Sequence, residues 1–319
     1  MSAPRPVLGA LDPDVPLPFG HASVVRAVVA EPVTALLVQR ALVMEVAHPE
    51  VAAAVADHSD FQRHPLTRAW ATVDAALRLV FGNEQVARGA ARQIYAVHDH
   101  INGHINGHID GHIEAPTGSR SDPGEGAGPR SYTAHDAALL AWVWATLVDT
   151  AETAYTRWVR PFGPAEARAF YDEMRSFGRS FGLPDELLPA DRQAFSDYID
   201  GMLGGELLGT SAESRSVARQ VLWYRHRVVP SALVRTERVL ALTTLDPRIV
   251  DRLGIRPDPA DVDLGRRLDT WLRLHYGGLP RSPRILPSLY ALMRGPSVGL
   301  AGRARAALGR GPFEWISSN

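Results

Sequence analysis

Cysteine and lysine are both missing from the 319 residues. Without cysteine, the chain has no disulfides, iron–sulfur clusters, thiolate-held haem, thiol nucleophile or C-x-x-C-H attachment of c-type haem. Without lysine it has no Schiff-base catalysis, P-loop lysine or Ser-x-x-Lys hydrolysis, and all 34 basic residues are arginines. A surplus of one charge is missing as well. The 35 acidic residues bring the formal net charge to −1, so no broad basic field invites nucleic acid or an anionic membrane. No apolar run reaches membrane-spanning length, since Arg40 and Glu45 interrupt the best stretch, 33–47. The opening MSAPRPVLGALDPDVPLPFG lacks the basic-then-apolar order of a secretory leader. The expectation is a cytoplasmic protein with no membrane span and no nucleic-acid partner. Any metal must be held by histidine, carboxylate or tyrosine, and any haem non-covalently.

What is present is helical periodicity, in a chain that is 45% hydrophobic. Pro32 opens a helix that runs to His48-Pro49, where the residue before proline leaves the helical region. A second helix is expected from Thr67 to Phe81, and a third, capped at Asn83-Glu84, to near Gly103. Residues 115–131, rich in Gly, Pro and Ser, read as a loop. A long apolar helix follows over 134–159, stopped by Pro161. Further helices are expected at 164–180, 190–203, 212–228, 231–242, 246–253 and 261–276. The fold expected is a single all-α domain over 1–319, with a core at about 20–245 and a less regular C-terminal extension, 246–319.

Five of the 12 histidines fall in HDHINGHINGHIDGHIE, residues 98–114. His100, His104, His108 and His112 recur every fourth residue, which on a helix would stack them on one face able to chelate a transition metal. Each repeat also carries Gly with Asn or Asp, which favour turns, so a dispensable loop born of local duplication is the competing reading. His98 differs. It lies on the third helix among Ile94, Val97 and Ile101, and a lone histidine on an apolar face reads first as a core residue.

A longer pattern surrounds it. His48-Pro49 with Val51 and Val55, His58-Ser59, Phe61, Pro65, Arg68, Thr72, Phe81-Gly82 and His98 are followed by Tyr132, Asp136 and WVWATLVDT at 142–150. In this order they resemble the rubber-oxygenase catalytic domain family, which includes latex-clearing protein and the fungal MpaB oxygenases, in outline over about 20–240. The resemblance implies a globin-like all-α fold holding haem b through one proximal histidine, with dioxygen cleaving a carbon–carbon double bond. It makes His98 the iron ligand and places Arg68 and Thr72 on the distal side. The residues themselves are compatible with this. Arg68 and Thr72 are i and i+4, so they share a helix face, and both could donate hydrogen bonds to charge developing on dioxygen. Without the resemblance they read as a salt-bridging arginine and a tolerated helix threonine.

Departures from the family pattern matter. Ala71 stands where latex-clearing protein has a lysine able to cap the iron, so the sixth position should be open, or held by water or another residue. Trp144 replaces a histidine frequent in relatives, and either reshapes the pocket or adds core volume. The acidic base proposed in latex-clearing protein has its nearest counterpart, by order along the chain, in Glu50. His48 and His58 read either as cofactor-side contacts or as helix-end histidines bonding free carbonyls. Arg40 reads either as a propionate partner or as a solvated helix arginine.

The expectation is a haem b oxygenase acting with O2 on a hydrophobic, unsaturated small molecule, isoprenoid- or polyketide-like. Its candidate catalytic residues are Arg68, Thr72 and Glu50, and its candidate cofactor-binding residues are His98, Arg40 and His48. One alternative is a non-enzymatic haem or gas-binding sensor; another is a non-haem metal protein using the histidines of 98–112. No H-E-x-x-H, G-x-S-x-G or Walker A motif supports other catalysis, and the G-x-G-x-G at 124–128 lacks a preceding strand.

Overall fold

A computed structural model describes residues 20, 22–58, 74–98, 101–105, 130–225 and 229–279, and the structural statements below concern these. In chain order they form α1 (Val24–Val29), α2 (Pro32–Ala35), α3 (Val38–Ala47), α4 (Pro49–His58), α5 (described over 74–81) and α6 (Glu84–His98). An antiparallel ribbon follows, β1 (Asn102–Ile105) with β2 (Arg130–Thr133). Then come α7 (Ala137–Trp158), α8 (Pro164–Ser180), α9 (Arg192–Gly204), α10 (Ala212–Leu222), α11 (Ser231–Thr244), α12 (Pro247–Arg252) and α13 (Pro259–His275). The all-α expectation holds, with the ribbon as the one sheet among the described residues.

α7 is the axis of the bundle. Asp136 caps it, its carboxylate accepting from the N–H groups of Ala138 (2.9 Å) and Leu139 (3.4 Å), which satisfies two first-turn donors. The helix therefore starts three residues later than the apolar pattern suggests, because β2 occupies 130–133. Its buried residues cover more than one face and serve two cores. Trp142, Trp144, Ala145 and Val148 pack in the larger core with α1, α3, α8, α9 and α10. Ala154 and Trp158 pack in the smaller one with Val33, Leu37, Leu240, Leu272 and Tyr276.

The single helix expected from Pro32 to His48 is two. Leu36 and Leu37 bond back three residues, to Val33 and Thr34, and Leu37 turns to φ −101°. That turn points fully buried Leu37 into the smaller core, so tertiary packing overrides an unbroken helical pattern. At the other end of α3, the Ala47 carbonyl accepts from Gly209 N (2.7 Å) and Ser214 Oγ (3.3 Å). Gly209 holds φ +77°, which glycine adopts without strain.

The helices expected at 246–253 and 261–276 form as α12 and α13. Pro247 and Pro259 each open a helix, behind the capping carboxylates of Asp246 and Asp258, so the proline punctuation there marks helix starts. α13 lies close against α11 at Gly265, where a Cβ would sit 2.8 Å from the Val239 carbonyl and would overlap Thr243 Oγ1. Two buried carboxylates then fasten it. Asp261 accepts from Arg235 Nε (2.7 Å) and from Arg238 (2.7 and 3.2 Å). Asp269 accepts from Arg157 Nε (2.5 Å) and Nη2 (2.8 Å) and from Trp158 Nε1 (2.9 Å). Residues 247–279 thus belong to the bundle, and the extension expected from 246 does not start there. Residues 280–319 lie outside the described residues.

The histidine repeat is also partly corrected. The end of its first unit and the start of its second form β1, paired in the register Asn102↔Thr133 to Ile105↔Arg130. A deletion of 104–112 would therefore cut a paired strand. His100, His108 and His112 lie outside the described residues.

Asp269 yields a pH prediction. Burial alone would push its carboxyl up, but the hydrogen bonds from Arg157 and Trp158, with the charges of Arg157 and Arg273, outweigh that and hold it below the ordinary carboxylate value. A depressed folded value means stabilisation that is full above the unfolded value, about pH 4, and lost as pH falls through the folded one. Replacing Asp269 with Asn should cost about 2 kcal/mol at pH 7. In urea melts, the gap to wild type should close as pH drops below about 4. A gap that stays constant into acid would show that the carboxylate's charge does not hold α13.

Candidate functional site

The site is built where α6 ends. Asn83 Oδ1 caps this helix at Val86 N–H (2.9 Å), and Ala87, Ala90 and Ala91 turn its buried face inward. Ala90, Ala91 and Ile94 pack with Leu79, Phe177 and Phe181. The helix stops at His98, earlier than Gly103. The Ile101 N–H bonds the His98 carbonyl (3.0 Å), and the chain passes into β1, as Asn102-Gly103 favours. His98 thus occupies the last turn of α6, half-buried.

The chain returns beside it. Ala134 N–H donates to the Ile101 carbonyl (2.9 Å), and Asp136 N–H to the Thr133 carbonyl (3.0 Å), immediately before Asp136 caps α7. The His135 ring lies 4.5 Å from the Tyr95 ring, centroid to centroid, at 45°. Tyr95 is one helical turn before His98, on the same side of α6. This aromatic pair joins the end of α6 to the start of α7. The i, i+3 spacing of Tyr95 and His98 sets Tyr95 on the His98 side of α6 from sequence alone, while its pairing with His135, 40 positions on, depends on the tertiary fold.

α4 closes the third side. It packs on both strands of the ribbon, and its Ala53 and Ala54 meet Ile101. Glu50 precedes these alanines by three and four residues and so shares their face. It is only 3% exposed. The structure therefore sets a buried carboxylate on the face of α4 that meets the segment leaving His98. His48, also buried, accepts at Nδ1 from the Glu50 N–H (3.3 Å). It acts as the cap at the start of α4, where the sequence offers either a cofactor-side contact or a helix-end histidine bonding carbonyls. The acceptor role requires Nδ1 to be unprotonated.

The remaining candidates fall elsewhere. Arg40 is buried, with Nη1 donating to Thr150 Oγ1 (2.8 Å), Nη2 paired with Asp149 (2.6 Å) and Nε donating to the Thr244 carbonyl (3.2 Å). Its carboxylate partner is thus a protein group, and it ties α3 to α7 and α11. Trp144 adds core volume. It is 4% exposed, bonds the Met174 carbonyl (2.7 Å) and meets Tyr171 and Phe195 edge-on. Arg68, Ala71 and Thr72 lie outside the described residues, as does the side chain of His58.

Among the described residues, no three of His, Asp and Glu gather into a chelating cluster. A bare metal ion needs several such donors, whereas a porphyrin supplies four nitrogens and asks the protein for one or two axial ligands. One half-buried imidazole, in a chain with no thiolate, fits the second requirement.

Among the described residues, no helix is long and apolar enough to cross a membrane. No curated protein and no solved structure matches the chain. A family model described as ER-bound oxygenase mpaB/B'/Rubber oxygenase, catalytic domain, matches residues 25–274. The match runs from α1 to the last turn of α13 and takes in every element that builds the site. The chain therefore belongs to the family of mpaB-type and rubber-oxygenase catalytic domains.

Proposed function

We propose that this protein is a haem b-dependent oxygenase acting with dioxygen on a hydrophobic, unsaturated small molecule, isoprenoid- or polyketide-like. The observation that carries the proposal is His98, a half-buried imidazole ending α6, followed by Ile101, which packs on α4, the helix that carries buried Glu50. When bound, haem would supply an iron centre able to activate dioxygen. The chain's own part divides among few residues. His98 offers the axial nitrogen. Arg68 and Thr72, one turn apart in sequence, offer a guanidinium and a hydroxyl as donors to charge developing on dioxygen. Glu50 offers a carboxylate oxygen that can hold or accept a proton. Arg40 and His48 take no part in this assignment, because their described contacts are to the protein.

Two experiments test it. Purified protein titrated with haemin should show a saturable Soret band at about one haem per chain, as a single axial histidine requires. His98→Ala should abolish it or shift it strongly. A protein that stays colourless and refuses haemin ends the haem reading, and an unchanged band in His98→Ala moves the ligand elsewhere.

The second concerns Arg68. Loss of one charged donor from a dry site raises a barrier by about 2–4 kcal/mol, a few-hundredfold in rate. Arg68→Ala should slow dioxygen consumption with olefinic lipids by that factor while haem affinity changes little. An arginine serving only an exposed ion pair would cost under about 1 kcal/mol of stability and leave the rate alone. Equal rates in variant and wild type would remove Arg68 from the chemistry.

A further inference from the structure

Glu237, on α11, is half-buried, and among the described residues no arginine answers it. Its Oε2 accepts from two neutral donors, the Tyr224 hydroxyl (3.2 Å) and Nε2 of Gln39 on α3 (3.3 Å). Both bonds are longer than the charge-assisted ones from arginine to Asp261 (2.7 Å) and Asp269 (2.8 Å). α11 packs on α3 and α13, and the charges of these helices are engaged elsewhere. Arg40, next to Gln39, is held by Asp149, Thr150 and Thr244. Arg235 and Arg238 turn to Asp261, and the Arg238 guanidinium also lies over the Trp223 ring (5.4 Å). Asp269 is bound by Arg157, and Asp263 faces Arg266 (3.8 Å). Arg225, following Tyr224, is exposed, and Glu45 lies six residues beyond Gln39.

The amide that reaches Glu237 is itself incomplete. Gln39 is 3% exposed, and its Oε1 is buried with no donor in reach, a costly state for an acceptor. Turning the amide over does not help, because its oxygen would then face the carboxylate oxygen, and two acceptors meet only with a proton between them. A proton on Glu237 answers both arrangements. A carboxylic acid donates as well as accepts, and the terminal torsions of Glu and Gln are soft. Acid and amide can therefore exchange two hydrogen bonds, O–H to Oε1 and Nε2–H to the carboxyl oxygen. Burial pushes the Glu237 carboxyl up by more than the bonds from Tyr224 and Gln39 pull it down. Burial, and then the neighbouring Glu237, push the Tyr224 hydroxyl up as well, so it stays a donor.

We propose that a proton shared between Glu237 and Gln39 latches α11 to α3, and that the contact loosens when this proton passes to water. α3 leads directly into His48 and α4, so the latch anchors the element that precedes Glu50. A carboxyl whose folded value is raised stabilises the fold through its bound proton. That contribution is full below the unfolded glutamate value, about pH 4.3, and is lost as pH rises through the folded one.

The test compares the full-length chain with Glu237→Gln, in which glutamine stands in for the protonated acid at every pH. In difference infrared spectra between the two, the protonated-carboxyl C=O band of Glu237 should fall to half only above about pH 5, whereas an ordinary glutamate does so at about 4.3. In urea melts, Glu237→Gln should gain on wild type between about pH 4 and about pH 8, by about tenfold in the folding constant for each pH unit between the unfolded and folded values. Gln39→Met, of similar volume, should lower the pH at which the band disappears. A band half gone at or below about pH 5, or a stability difference that does not change with pH, would overturn the proposal. So would a rise of the band's midpoint in Gln39→Met, since Gln39 would then serve the ionised carboxylate. If Gln39→Met does not fold, the two comparisons with Glu237→Gln still decide. None of these outcomes depends on haem.

Discussion

Three tryptophans on α7 each carry an indole N–H that folding removes from water, and the arrangement of the bundle answers where those donors go. A buried donor left unpaired costs roughly 1–3 kcal/mol, so each indole restricts its neighbour's position. Trp142 donates to the Met44 carbonyl on α3 (3.1 Å), Trp144 to the Met174 carbonyl on α8 (2.7 Å) and Trp158 to Asp269 on α13 (2.9 Å). Three partners from three distant parts of the chain are thereby set around one axis. α7 can be apolar on most of its circumference because each side has a fixed neighbour, and the two cores form on either side of it.

The arginine-only composition works through the same geometry. Arg157 grips Asp269, Arg238 grips Asp261, and Arg40 ties Asp149, Thr150 and Thr244 together. A planar guanidinium can bind a carboxylate through two nitrogens and still reach a carbonyl, which a lysine ammonium does not do in a fixed plane. Such contacts suit places where helices cross and charge is partly buried. The end of the molecule that carries His98 uses other means. There the ribbon, the Tyr95–His135 pair and the alanine face of α4 bring elements together, mostly through small or neutral groups.

That division separates scaffold from site. The ion pairs and indole bonds fasten α3, α7, α8, α11 and α13, and they leave the end formed by α4, α6 and the ribbon to chemistry. Glu50 is the buried carboxylate at that end, on α4, the helix whose Ala53 and Ala54 meet Ile101. Family membership over 25–274 makes the chain an oxygenase-family domain, and the haem reading proposed above rests on the imidazole of His98 at the end of α6.

Much of this was legible in the sequence because it depends on local rules. The cap at Asn83, the stop before Pro49 and the helix over 164–180 follow from which residues satisfy helix-end donors and which cannot continue a helix. The absence of cysteine excluded thiolate ligation and covalent c-type attachment of any haem. The ordered run from His48 to the WVWATLVDT segment carried the family. Other features depend on partners far along the chain. Arg40 could be read as a cofactor contact until Asp149, 109 positions on, occupied it. His48 became a cap only when α4 began at its own ring. The break at Leu37, the pairing of β1 with β2 and the packing of α13 on Gly265 likewise answer to distant neighbours. Local sequence determined where helices start and stop. Tertiary structure decided which side chains face one another, because a buried polar group takes whatever partner the packing brings within reach.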